Sequence, residues 1–144
     1  MSDPNSTQRQ DPAAHAACDT IQPPPRTLAG ILRQLGPGVI LAAYRNNGGP
    51  ISKDIIATGI DRGSNVPGGA CGFWGCCGAA VGAGIAASLI LEATPLKADE
   101  RQHSLAFTAE ILAEIARMKG GRCCQRDSWL ALTHASRLSE EFFK

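Results

Sequence analysis

Eight of the sixteen glycines lie in the 22 residues from Gly63 to Gly84, and three of the six cysteines share that stretch. A backbone so poor in Cβ atoms either approaches something closely or adopts positive φ, so this segment constrains the fold more than any other. From Ala79 to Glu92 the sequence is apolar almost all round. Gly78, Gly82 and Ala86, with Ala79, Ala83 and Ala87, set small residues four apart on adjacent faces. That spacing predicts a central helix that packs very closely against its neighbours.

The rest of the chain reads as helices arranged around this one. Five of the nine prolines fall within the first 25 residues. Pro23-Pro24-Pro25 can neither continue a helix nor pair in a central strand, so residues 1–26 read as a disordered polar tail and 27–144 as one domain. Leu28, Ile31, Leu32, Leu35, Val39, Ile40 and Ala43 recur at spacings of three and four, predicting a core-facing helix that Gly36-Pro37-Gly38 kinks or splits. Asn46-Asn47-Gly48-Gly49-Pro50 stops it. Ser52 or Asp54 caps a short helix through Ile55, Ile56 and Ile60 that ends near Gly63. Pro95 is expected to end the central helix. An amphipathic helix then runs from about Ala98 to Lys119, burying Leu105, Ile111, Leu112 and Ile115 and closing at Gly120-Gly121. Asp127 or Ser128 is expected to cap a last helix carrying Trp129, Leu130, Leu132, Leu138 and Phe142. No stretch alternates as a strand does, so the fold class is all-α, a compact bundle of about five helices with a glycine- and cysteine-rich loop.

Composition narrows the function classes. A net charge of +1 gives no basic patch for nucleic acid. The longest apolar run, Cys76 to Leu91, is sixteen residues and includes three glycines and a serine. A bilayer span needs about 20 residues, so no membrane is expected. The N-terminus lacks the charged-then-apolar pattern of a secretory signal, which points to the cytoplasm, a reducing compartment. There, six cysteines suit metal ligation or redox thiols better than a disulfide framework. The vicinal pairs Cys76-Cys77 and Cys123-Cys124 strengthen that reading, because adjacent cysteines bridge each other only with strain.

Cys77 falls at the expected N-terminus of the central helix, and Cys123 and Cys124 fall just before the last helix. Helix N-termini lower thiol pKa and favour anions, and Arg122 and Arg126 add positive charge. Should the two loops meet, Cys71, Cys77, Cys123 and Cys124 would surround one site as soft ligands for an iron–sulfur cluster or zinc. Cys76 is an additional candidate, and a redox partner protein would be implied. The spacings give no pair of zinc knuckles, and a glycine-rich loop supplies amides to cluster sulfur. Two alternatives stand beside this reading. One is a metal-free dithiol protein with Cys77 as the low-pKa attacking thiol and a cysteine of the 123/124 pair resolving it. The other is a helical interaction module that uses cysteine as a small core residue and forms a homodimer through the small-residue helix.

Several other signals carry less. Gly82-Ala-Gly84-Ile-Ala-Ala87 has the letters of a dinucleotide fingerprint but lies inside a helical pattern with no strand before it. His15 and Cys18 have ligand-compatible spacing in the tail. His103 and His134 read as exposed or partly packed imidazoles, and Phe73-Trp74 reads as a lid over a buried site. Gln34 to Ala42 looks like the opening of Nramp-type transporters, but no set of spans follows.

The stretch Gly69-Ala-Cys-Gly-Phe-Trp-Gly-Cys-Cys-Gly-Ala-Ala80, with Gly121-Arg-Cys-Cys-Gln-Arg126 and Gly36-Pro-Gly-Val-Ile-Leu-Ala-Ala-Tyr-Arg-Asn46, resembles the family catalogued as domain of unknown function 5714. The resemblance covers nearly everything after the tail. It implies family cysteines at Cys71, Cys77, Cys123 and Cys124, with Cys76 a local addition. The family's activity is not established, although some relatives carry a methyltransferase label. Cys77-Gly78-Ala79-Ala80-Val81-Gly82 is more loosely similar to redox proteins with a C…CGAxxG motif, and Cys76-Cys77-Gly78 to the CCG modules of heterodisulfide-reductase-type proteins.

Overall fold

A computed structural model describes residues 28–121 and 123–143, without the side chains of 28–30 and 32–34. The expected tail, 1–26, lies outside the described residues, as do His15, Cys18 and Arg122. The described residues form six helices and no strand: α1 Leu28–Asn46, α2 Lys53–Ser64, α3 Ala70–Phe73, α4 Gly78–Ile90, α5 Ala98–Ala116 and α6 Cys124–Phe142. The fold is all-α. None of these helices is long and apolar enough to cross a membrane.

The small-residue helix sits where its sequence demands, at the centre. α4 packs against α1, α2, α5 and α6. Ala80, Ala83, Ala86 and Ala87 are buried, with Phe107, Ile111 and Ile115 of α5 and Ala131 and Ala135 of α6 against this helix or close to it. Large side chains therefore come from the neighbours. Phe107 is fully buried and meets Phe142 edge-on at 5.5 Å and Phe143 at 5.2 Å. A Cβ at Gly84 would collide with Thr108 of α5, and one at Gly59 with Leu41 of α1, so both crossings depend on missing side chains.

Helix boundaries follow local chemistry where caps are present. Ser52 Oγ accepts from the Ile55 amide at 3.4 Å and starts α2. Gly48, at φ +93°, closes the turn after α1. Elsewhere packing overrides the local signal. α1 runs unbroken through Pro37, which is fully buried, with its ring 3.3 Å from where a Cβ on Gly82 would lie. The glycine makes room for the proline ring, and its burial offsets the lost backbone bond. This packing also turns α1 away from the expected orientation. Ile31, Leu35, Val39 and Ala43 are exposed, whereas Leu41, on the Pro37 side, is fully buried.

α4 ends at Ile90, five residues before Pro95, because Glu92 takes a left-handed φ of 49° and Ala93 N donates to Ser88 O. On α5, Leu105 is exposed and Phe107 takes the core position. α6 starts at Cys124, with Cys123 as N-cap, so Asp127 and Ser128 lie within its first turns and are buried.

Candidate functional site

The site is assembled from two helix beginnings and the short helix between the glycines. Gly69 at φ +76° starts α3 and Gly75 at φ +65° follows it, two left-handed positions that disfavour any side chain. Between them Ala70 is buried and holds the loop down, while Cys71 remains exposed. Cys76 N reaches back to Ala70 O at 3.4 Å, and the chain then enters α4 with Cys77 as its N-cap in extended conformation. At the second beginning, Asp127 N donates to Cys123 O at 2.8 Å and starts α6.

These segments meet. Cys71, Cys77, Cys123 and Cys124 all line one pocket, with Gly69 and Ser128 completing its wall. The space open to water centres measures about 30 Å³. That is enough for about two or three waters, since one needs roughly 10–15 Å³. Cys76 is half-buried and is not part of the lining. Among the described residues no three Cys, His, Asp or Glu side chains are set closely enough to hold a metal ion. The four thiols thus share a pocket without forming a closed cage.

Asp127 is the residue that sequence reasoning missed. It is 2% exposed, and its Oδ2 accepts from the Cys77 thiol at 3.8 Å, across fifty residues of sequence. The Cys123 thiol lies beside it. Arg126 Nε donates to Oδ1 at 3.0 Å, and Arg126 Nη1 donates to Lys119 O at 2.9 Å. In sequence, an acid near a helix start reads as a cap. Only the fold reveals that the carboxylate instead faces another helix.

Electrostatics here run against the expectation from helix termini. The Cys77 thiol pKa is raised: burial outweighs the Ala79 and Ala80 amides that favour the thiolate, and the Asp127 charge adds to the rise. The Cys123 pKa is pushed up to about 12, first by desolvation and then by Asp127 beside it. Both thiols hold their protons at neutral pH. Cys77 therefore lacks the low-pKa character expected of an attacking thiol.

The remaining candidates lie elsewhere or read differently. Phe73 and Trp74 are 54% and 70% exposed, so they are not a lid over the site. His103 is exposed, and His134 is partly packed 3.9 Å from Glu114, as their neighbours implied. Gly82 lies inside α4, and no strand precedes it among the described residues, so the fingerprint letters lack their nucleotide-binding context.

The sequence model of a family described as "Family of unknown function (DUF5714)" matches residues 22–144. No curated protein matches the chain, and no solved structure does. The looser likeness to C…CGAxxG redox proteins finds no support in these comparisons.

Proposed function

The chain belongs to that family of unknown function, and we propose that its pocket binds a soft metal through Cys71, Cys77, Cys123 and Cys124, for electron transfer or redox sensing. One observation carries the reading: four cysteines from two stretches fifty residues apart line a single pocket at two helix N-termini. The donor set fits soft metals, because thiolate sulfur prefers zinc or iron–sulfur iron to magnesium or calcium. No three of these side chains are set closely enough for an ion as they stand, so binding would require the exposed Cys71 arm to move towards Cys77 and Cys123.

The residues would act as follows. Cys77 is buried and Cys123 half-buried, both beside Asp127, while Cys71 stands at the exposed rim. Binding requires all four sulfurs to lose their protons, so affinity rises with pH. The Ala79 and Ala80 amides and the Arg126 guanidinium offset the negative charge that remains. A bound iron–sulfur cluster would supply one-electron chemistry, whereas zinc would supply structure alone.

A metal-free dithiol reading is favoured by one feature, the carboxylate shared by Cys77 and Cys123. In that chemistry two thiols lose two protons and two electrons to a disulfide acceptor and become a disulfide. Burial makes Cys77 the resolving rather than the attacking sulfur.

Anaerobic purification of the full chain, with metal and sulfide analysis and a visible spectrum, tests the choice. Iron with sulfide supports the proposal, whereas stoichiometric zinc supports the ligand set and replaces the redox role with a structural one. Metal-free protein with titratable thiols moves the function to dithiol chemistry. Cys77→Ser and Cys123→Ser variants that keep both stability and phenotype leave only an interaction module.

A further inference from the structure

We infer that Asp127 is the positioning residue of the thiol pocket, holding Cys77 of the α4 terminus and Cys123 of the α6 terminus in register. The carboxylate is 2% exposed and makes three kinds of contact. It accepts from Cys77 Sγ at 3.8 Å, lies beside the Cys123 thiol, and accepts from Arg126 Nε at 3.0 Å. Arg126 in turn grips Lys119 O at 2.9 Å, just past the end of α5. Asp127 and Arg126 together thus link α4, α6 and the segment leaving α5.

A buried carboxylate is costly unless its bonds are satisfied, and no buried side-chain polar atom among the described residues lacks a partner. A carboxylate needed only to start α6 would face its own helix amides and solvent. This one faces a thiol fifty residues away. A charged acceptor fixes the rotamer of a protonated sulfur without itself reacting, and this hold lasts only while the thiol keeps its proton. Arg126 fixes the carboxylate in turn. Its first-turn position explains why no spacing rule marks it: only the meeting of the two termini gives it a role.

The metal arm of the test rests on the proposed function, and the thiol arm rests on geometry alone. Full-length wild type, Asp127→Asn and Asp127→Ala are prepared reduced and metal-free. Zinc titration against a chromophoric competitor measures affinity, and site-resolved mass mapping follows N-ethylmaleimide labelling. Because the carboxylate favours the protonated thiols that zinc must deprotonate, the inference expects zinc affinity to rise roughly tenfold when it is removed. Asp127→Asn should change less than Asp127→Ala, because its amide oxygen still accepts one thiol. Labelling of Cys77 and Cys123 should accelerate together, roughly fivefold or more, while the exposed Cys71 keeps its rate as internal control.

Unchanged affinity and unchanged labelling in both variants overturn the inference. So does an affinity loss that only tracks a fall in thermal midpoint while labelling of Cys77 and Cys123 relative to Cys71 stays as in wild type. Should wild type take up no zinc and purify without iron, the metal proposal fails, and the labelling ratios alone decide the role of Asp127. Should Asp127→Ala fail to fold, Asp127→Asn carries both readouts.

Discussion

Two helices of this molecule begin on a cysteine, and the two beginnings differ. Cys77 enters α4 with extended backbone, φ −73° and ψ 129°, and its sulfur lies near the amides of Ala79 and Ala80 while donating to Asp127. Cys123 enters α6 with helical backbone, φ −82° and ψ −15°, and its sulfur meets the Asp127 carboxylate. Position at a helix start alone therefore does not decide thiol chemistry. What the sulfur faces decides it: amide donors favour the thiolate, a carboxylate favours the thiol, and burial opposes the charge at both.

The largest expected effect removes what both ends share. Phe107→Ala should cost about 3–5 kcal/mol in urea unfolding and should accelerate labelling of Cys77 and Cys123 alike, because α4 and α6 rest on the same core. A change confined to one thiol would show that the two ends are supported separately. Next, Cys77→Ser and Cys123→Ser should each lower zinc affinity beyond the 10–100-fold typical of outer-shell partners. Equal losses would make the two ends equivalent ligands, and loss at only one would break the symmetry of the site.

Alkaline pH sharpens the contrast further. A thiol whose pKa is raised on folding binds its proton more tightly in the native state. Its stabilisation is therefore complete below the unfolded thiol range and fades as pH rises towards about 12 for Cys123. Chemical denaturation of metal-free protein from pH 8 upwards should show this decline, and Cys123→Ser should flatten it. The smallest effect is a control. Ser52→Ala removes the α2 cap and should cost about 1 kcal/mol while leaving the labelling rates of both thiols unchanged.

Much of the architecture was legible because local and tertiary demands agree. The small residues of α4 predicted a central helix, and Asn47-Gly48 and Ser52 set the turn and the start of the next helix. Where the two demands conflict, sequence reading fails. Pro37 signals a break, yet it is seated against Gly82 and the helix continues. Leu105 and Phe107 are two apart on α5, and only the space left by alanines on α4 selects the larger ring for the core. The gathering of four cysteines was foreseeable from two motifs beside helix starts. Asp127 was not, because its partner is fifty residues away and an acid in an early helical turn has a ready local explanation.

The glycine and alanine seam of α4 has a mechanical consequence for the thiols at its tip. Gly84 is pressed on Thr108 and Gly82 on Pro37, so a shift of the helix would drive its backbone into those side chains. Any rearrangement at Cys77 must be taken up on the other side, by the four-residue arm that carries Cys71. The rigid half of the molecule acts as an anvil, and the glycine-hinged half is the part that yields.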